Sequence, residues 1–181
     1  MVAVTHSRPA ALALSFVLAT ASSASAEDPP LSGHLEVAGY VEGLFLSPVT
    51  RARLAAVEKL RSAKCRELFS EFQDLAGRSL DDVLLSHRET SEQRLWRMVF
   101  RDGSSAPGCH QKNIFAFTSP GSLTVFVCSN FRELAELETG AAANILIHEE
   151  LHSLGAGEAP MPGLLTTRQI TARVTDRCGW R

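Results

Sequence analysis

The sequence predicts an α+β fold, because helical and extended patterns occupy separate parts of the chain. Residues 49–74 repeat apolar side chains at helical spacing, and residues 140–154 are nearly all helix formers. Residues 94–128 instead contain short β-branched and aromatic segments separated by turn signals. We therefore expect a long N-terminal helix, a short antiparallel sheet with a hairpin, a buried central helix and a C-terminal helix.

The first 26 residues have the pattern of a secretory signal peptide. Arg8 precedes an apolar run of about ten residues, which is too short to cross a bilayer as a helix. Ala24-Ser25-Ala26 supplies a small-residue cleavage site, so the mature chain is expected to begin at Glu27. The predicted location is secreted or periplasmic, with no stable membrane anchor after cleavage.

The mature chain has the size and charge of one ordinary globular domain. Removing 26 of 181 residues leaves 155, and residues 27–181 are predicted to form a single domain. Without Arg8 the chain carries 17 basic and 20 acidic residues, a net charge of −3. This balance gives no indication of a nucleic-acid partner. Pro and Gly residues within 27–48 predict a loop or leader.

The four cysteines predict two disulfide bonds, because an even number follows a signal peptide. Three pairings are possible, and free buried thiols are the alternative. We favour Cys109–Cys128, which would join the ends of a hairpin, and Cys65–Cys178, which would tie the C-terminus to an early helix.

The first half of the mature chain predicts two helices and then a strand. Residues 49–74 form one long amphipathic helical pattern, with the basic residues on a solvated face. Residues 79–86 predict a shorter helix capped by Ser79, with acidic residues in its first turn. Residues 94–101 predict a strand that ends at the turn Asp102-Gly103.

The second half predicts a hairpin followed by three helices. Two strands are predicted at residues 113–118 and 122–128, joined by the turn Ser119-Pro120-Gly121. Residues 130–137 form a short helix that leads into the helix 140–154. For the helix 140–154, Thr139 is the predicted N-cap and Gly155 the predicted stop. The last predicted helix begins after an N-cap at Thr166 or Thr167 and reaches Arg177.

The buried helix carries the motif His148-Glu149-Glu150-Leu151-His152, or HExxH. Residues four apart lie on one helix face, so His148 and His152 can bind one metal ion. Glu149 lies about 100° around the helix from His148, beside the metal rather than on it. There its carboxylate can take a proton from metal-bound water. Two satisfied core histidines are the alternative explanation of the spacing.

The longer string from His148 to Glu158 reads HExxHxxGxxE and resembles the zincin metallopeptidases. The spacing is similar to the metzincin pattern HExxHxxGxxH, in which the glycine turns the chain so that the last residue reaches the metal. The resemblance implies a small secreted zincin-like domain that binds Zn²⁺ through His148, His152 and Glu158. Glu158 replaces the family's histidine, and carboxylate is an accepted zinc ligand. Asp176, on the last predicted helix, is the rival third ligand.

The predicted function is a zinc-dependent peptidase in which Glu149 is the general base for a metal-activated water. Glu150 faces the opposite side of the helix and is expected to be a buried, salt-bridged structural residue. A peptide or protein substrate is expected, and one edge of the sheet could hold it by strand addition. Two alternatives remain. The first is a zinc amidase that acts on cell-wall amides with the same residues. The second is a non-catalytic binding module stabilised by a metal with four ligands, in which Asp176 joins His148, His152 and Glu158.

Overall fold

A computed structural model of the protein describes residues 46–111 and 113–179 of the 181-residue chain. The predicted signal peptide and most of the predicted leader 27–48 lie outside the described residues. Residues 46–48, which end that predicted loop, already belong to the first helix. The described chain is α+β, as predicted from the sequence.

Helices precede and follow a small sheet in the chain. The helices are α1 (Leu46–Leu60), α2 (Ala63–Arg66), α3 (Leu68–Glu71), α4 (Leu80–His87), α5 (Ser91–Arg97), α6 (Ser129–Leu137), α7 (Thr139–Ser153) and α8 (Thr167–Cys178). The strands are β1 (Val99–Asp102), β2 (Ala116–Thr118) and β3 (Thr124–Val127), and a 3₁₀ helix spans Pro107–His110. No helix in these ranges is long and apolar enough to cross a membrane.

The predicted long helix 49–74 is wrong in length, because the chain breaks after Leu60 into α1, α2 and α3. Ser62 has an extended backbone, and its hydroxyl accepts a hydrogen bond from the Cys65 backbone N–H. A serine side chain that bonds to the backbone in this way starts a new helix instead of continuing the old one. The Arg66 guanidinium donates to the Arg61 carbonyl near the break.

The predicted strand 94–101 is wrong in its first half, which is helical. Thr90 and Gln93 form a capping box at the start of α5, each side chain bonding to the other residue's backbone N–H. This local signal fixes a helix before the extended segment β1 begins at Val99. It also places Arg94 in the buried interior instead of on a sheet face.

The three strands form a mixed sheet in the order β1-β3-β2, so the prediction of an antiparallel sheet is only partly correct. β2 and β3 pair antiparallel as the predicted hairpin, with Phe117 opposite Phe126. β1 pairs parallel with β3, with Phe100 opposite Val125. Parallel neighbours need a crossover connection and not a tight turn. The long stretch of chain between β1 and β3, which includes β2, provides that connection.

The helix α7 lies at the centre of the described fold and contacts α1, α5, α6, α8 and β2. All its apolar side chains except the partly buried Ile145 are buried, as expected for a helix inside a core. They include Ala142, Ala143, Leu146, Ile147 and Leu151. The predicted N-cap Thr139 is wrong, since Thr139 is the first helical residue and its hydroxyl bonds to the Ala135 carbonyl.

Both predicted disulfide pairings are confirmed. Cys65 in α2 joins Cys178 at the end of α8, and Cys109 in the 3₁₀ helix joins Cys128 after β3. The predicted cap at Thr166 is also confirmed, because Thr166 forms a capping box with Gln169. The cap and the first disulfide fix the two ends of α8, the helix that packs beside the histidines of α7.

Candidate metal site

The two histidines of the HExxH motif face the same point. Their Nε2 atoms are 3.0 Å apart, and both side chains are almost fully buried. The Glu158 carboxylate oxygen Oε2 lies 4.0 Å from Nε2 of His148 and 3.7 Å from Nε2 of His152. One ligand atom from each of the three residues therefore lies within 4.8 Å of the others, and the group could hold a metal ion.

The second ring nitrogen of each histidine bonds to the protein. Nδ1 of His152 lies 2.7 Å from the Ala156 carbonyl, which can only accept, so this nitrogen donates. Nδ1 of His148 lies 3.1 Å from the Thr171 hydroxyl. When both Nδ1 atoms donate, both Nε2 lone pairs point toward each other and toward Glu158. A metal ion bound there would satisfy all three groups, and imidazole nitrogen with carboxylate oxygen is a donor set that transition metals accept.

The pKa values of the two histidines are shifted in opposite directions. Burial lowers the pKa of His148 to about 3, so this ring is neutral at pH 7, as a metal ligand must be. Burial also acts to lower the pKa of His152, but the Glu158, Glu149 and Ala156 oxygens together outweigh it and raise the value. The contact with His152 in turn lowers the pKa of Glu158.

Glu149 is not one of the three clustered residues, and its carboxylate interacts electrostatically with His152 and Glu158. Its side chain is buried, and burial raises its pKa to about 7. The backbone N–H of Thr118 in β2 bonds to the carboxylate, whereas Oε2 has no hydrogen-bond partner among the described residues. Glu149 and His148 line one cavity of about 850 Å³. A buried carboxylate with a free oxygen beside a cavity can exchange a proton with a molecule bound there.

The turn after α7 brings Glu158 to the histidines. Gly155 has a φ of +105°, and its N–H bonds to the His152 carbonyl. The chain then places the Ala156 carbonyl against Nδ1 of His152, and the Thr167 hydroxyl donates to Oε2 of Glu158 at 2.8 Å. The predicted glycine stop is therefore confirmed, and the turn fixes both a ligand and a hydrogen-bond acceptor for His152.

Replacing Gly155 with alanine is expected to destabilise the fold by about 1–3 kcal/mol, because a side chain is strained at positive φ. The new Cβ would also lie 2.9 Å from Cβ of Asp74. Urea unfolding measures the change. The matched control is Gly163→Ala, at a φ of +80° with nothing within 4 Å of its Cβ, which should cost less. An equal loss in both variants would contradict the close-packing argument.

Replacing Thr171 with valine should weaken metal binding about 10- to 100-fold, because the hydrogen bond that orients His148 is lost. Valine keeps the shape of the threonine side chain. A competition titration with a chromophoric chelator measures the affinity. Thr175→Val, one turn further along α8 and without a contact to either histidine, is the control. Equal affinities in the two variants would show that Thr171 does not support the site.

The structure separates the two candidates for the third ligand. Glu158 belongs to the cluster, whereas Asp176 does not and lines the neighbouring cavity. Arg177 of α8 points away from the site and forms ion pairs with Glu67, between α2 and α3, and with Glu71 of α3. Arg173 lies over the ring of Phe72.

Glu150 is fully buried on the other side of α7, as predicted, but the expected salt bridge is absent among the described residues. Both carboxylate oxygens lack a hydrogen-bond partner there, and burial raises the pKa well above its usual value. The neighbouring Arg94 guanidinium bonds to Ser153 and lies 3.7 Å from Glu89. Glu150 also lies outside the histidine cluster.

Three residues of the site had no signal in the sequence. Thr118, Thr167 and Thr171 support Glu149, Glu158 and His148 respectively. Each comes from a different segment than its partner, and an isolated threonine carries no spacing pattern. These hydroxyl and amide groups reach the site because β2 and β3 pair beside α7 and α8 packs against α7.

No protein-family model matches the sequence, and comparisons with curated proteins and with solved structures find no significant match.

Proposed function

We propose that the protein is a zinc-dependent peptidase of the zincin type that is exported to the periplasm or the cell exterior. The observation that carries the proposal is the group formed by the buried His148 and His152 with Glu158, together with the unpaired Glu149 oxygen and a cavity that His148 and Glu149 line. Two imidazoles and one carboxylate are the ligand set of His₂Glu catalytic zinc sites. The two disulfides support export, because such bonds form in oxidising compartments.

Zinc, when bound, would lower the pKa of a water molecule and polarise a carbonyl group. The residues around it have separate tasks. His148 and His152 supply neutral nitrogen ligands, and Thr171 and the Ala156 carbonyl hold their rings in place. Glu149 takes a proton from water at its free oxygen and delivers it to the leaving amine. The Glu149 carboxylate also accepts a hydrogen bond from the backbone N–H of Thr118, which holds it against the edge of the sheet.

The edge strand β2 is suited to align an extended peptide with these groups. One side of β2 pairs with β3, and no described strand pairs with the other side. Ala116 at the start of β2 lines the cavity, so this end of the strand borders it. A peptide added to this edge would gain backbone hydrogen bonds and would place a scissile carbonyl near the histidines.

An open three-residue ligand set favours catalysis over a purely structural metal site. A structural zinc site has four protein ligands, whereas a catalytic site leaves one position for water or substrate. Asp176, the expected fourth ligand of a structural site, lies outside the cluster. The three-residue set, with His148 lining a cavity, therefore supports a hydrolytic role.

The test is hydrolysis of unfolded casein and of quenched-fluorescence peptides by the purified, disulfide-bonded protein. We expect cleavage that stops when a chelator removes the metal and resumes when zinc is restored. Purified peptidoglycan is assayed in parallel, since release of cell-wall peptides without casein cleavage would replace the peptidase proposal with the amidase. Zinc-loaded protein that hydrolyses none of these substrates would overturn the proposal of a hydrolase.

A further inference from the structure

The cavity beside His148 is a cleft between α8 and the chain segment that leads into β2. We call it the α8 cleft, and its volume is about 850 Å³. One wall is largely apolar and contains Ile114, Phe115 and Ala116, preceded by the polar Asn113, and Ile145 of α7 also lines the cleft. The opposite wall is a face of α8 whose members recur at helical spacing. They are Arg168, Thr171, Ala172, Thr175 and Asp176.

The cleft has a defined direction because α7 and α8 run antiparallel. His148 bonds to Thr171, whereas Asn144, one turn earlier in α7, bonds to the carbonyl of Gly179 at the far end of α8. Moving along the cleft from the histidines therefore leads from Thr171 to Asp176. Five helical residues span about 7–8 Å, which is comparable to the length of an extended lysine side chain.

The two ends of the cleft carry opposite charges. Arg168 lies in the first turn of α8, next to Thr167 and hence near Glu158. Asp176 lies two turns further on, and its carboxylate has no ion pair or hydrogen bond to the described residues. The Lys64 ammonium bonds to the Asp176 backbone carbonyl and does not bond to the carboxylate. A substrate cation is therefore attracted to the Asp176 end and repelled by Arg168.

We propose that the α8 cleft binds a lysine- or arginine-type side chain next to the scissile bond, with Asp176 as its charge partner. The apolar wall fits the aliphatic stem, and the carboxylate fits the cationic end. The inference rests on the proposed peptidase function, which supplies the scissile bond. It assigns to Asp176 a role in substrate choice in place of the metal-ligand role that the sequence allowed.

The first test compares cleavage of peptides that carry lysine, norleucine or glutamate on either side of the scissile bond. We expect lysine to be preferred over norleucine about three- to fivefold in kcat/KM at one of the two positions, as for a partly exposed ion pair. Asp176→Asn should remove this preference, and Asp176→Lys should shift it toward glutamate. Asp81→Asn, an exposed acid outside the cleft, should keep the wild-type preference.

The second test measures binding without catalysis. N-acetyl-lysine methylamide and its norleucine analogue are titrated into isotope-labelled Glu149→Gln protein, and backbone NMR shifts are followed. The lysine compound should perturb Thr175 and Asp176, and Asp176→Asn should abolish that perturbation.

The two tests separate the inference from the proposed function. Peptide cleavage without a lysine preference, or a preference that survives Asp176→Asn, would overturn the role of Asp176 and leave the peptidase intact. If no peptide is cleaved, the proposed function fails, and the binding experiment alone decides the inference. Selective binding of the lysine compound then supports the cleft assignment, and equal or absent binding of both compounds overturns it.

Discussion

Replacing Glu149 with glutamine is expected to lower kcat/KM for peptide hydrolysis by about 10²- to 10⁴-fold, the usual contribution of a general base. Glutamine has the same shape but cannot take a proton from water. Metal content should not change, because Glu149 is not one of the three clustered ligands. Initial rates with a quenched-fluorescence peptide, together with zinc per chain, measure both effects on the same preparation.

Glu150→Gln is the matched control for this experiment. Glu150 is the next residue of α7, is equally buried and lies outside the histidine cluster. Its variant should retain both zinc and the wild-type rate per folded molecule. The assignment of Glu149 would be refuted if its glutamine variant kept more than about a tenth of the wild-type rate while the Glu150 variant lost activity.

Removing the Cys65–Cys178 disulfide, by alanine at both positions, is expected to lower the free energy of unfolding by about 4–5 kcal/mol. The bond joins residues 113 apart in sequence, so it closes a long loop and strongly restricts the unfolded chain. It also holds the end of α8, whose Thr171 bonds to His148. Urea unfolding under non-reducing conditions gives the change in stability.

The second disulfide provides the comparison. Cys109 and Cys128 are 19 residues apart, so their replacement by alanine should cost about 3 kcal/mol, less than removal of the longer link. The zinc affinity should also fall more in the Cys65/Cys178 variant, because α8 contributes directly to the site. A larger loss of stability from the shorter loop would contradict the loop-closure argument.

Features fixed by neighbouring residues were predictable from the sequence. The hairpin of β2 and β3, the capped start of α4 at Ser79 and the capped start of α8 at Thr166 are all set by short-range patterns. The same kind of signal also explains two errors. Ser62 and the Thr90–Gln93 capping box start helices that a search for long apolar patterns overlooks.

The parallel pairing of β1 with β3 could not be predicted, because it joins segments that are distant in the chain.

In the candidate site, too, the features set by neighbouring residues were predictable and those set by distant segments were not. His148 and His152 are recognisable because a helix brings residues four apart together, and Gly155 indicates the turn that leads to Glu158. The position of Asp176 and the contact of Thr171 with His148 depend instead on how α8 packs against α7. Tertiary packing therefore decides which of two plausible carboxylates faces the histidines.

The central claim is that His148, His152 and Glu158 bind one zinc ion. The most direct measurement is zinc per chain in the folded, disulfide-bonded protein after equilibrium dialysis, with His152→Ala dialysed alongside. We predict one zinc per wild-type chain and a large loss in the variant, whose circular dichroism confirms that it remains folded. A folded wild-type protein that binds no zinc, or a His152→Ala variant that binds as tightly as wild type, would contradict the account.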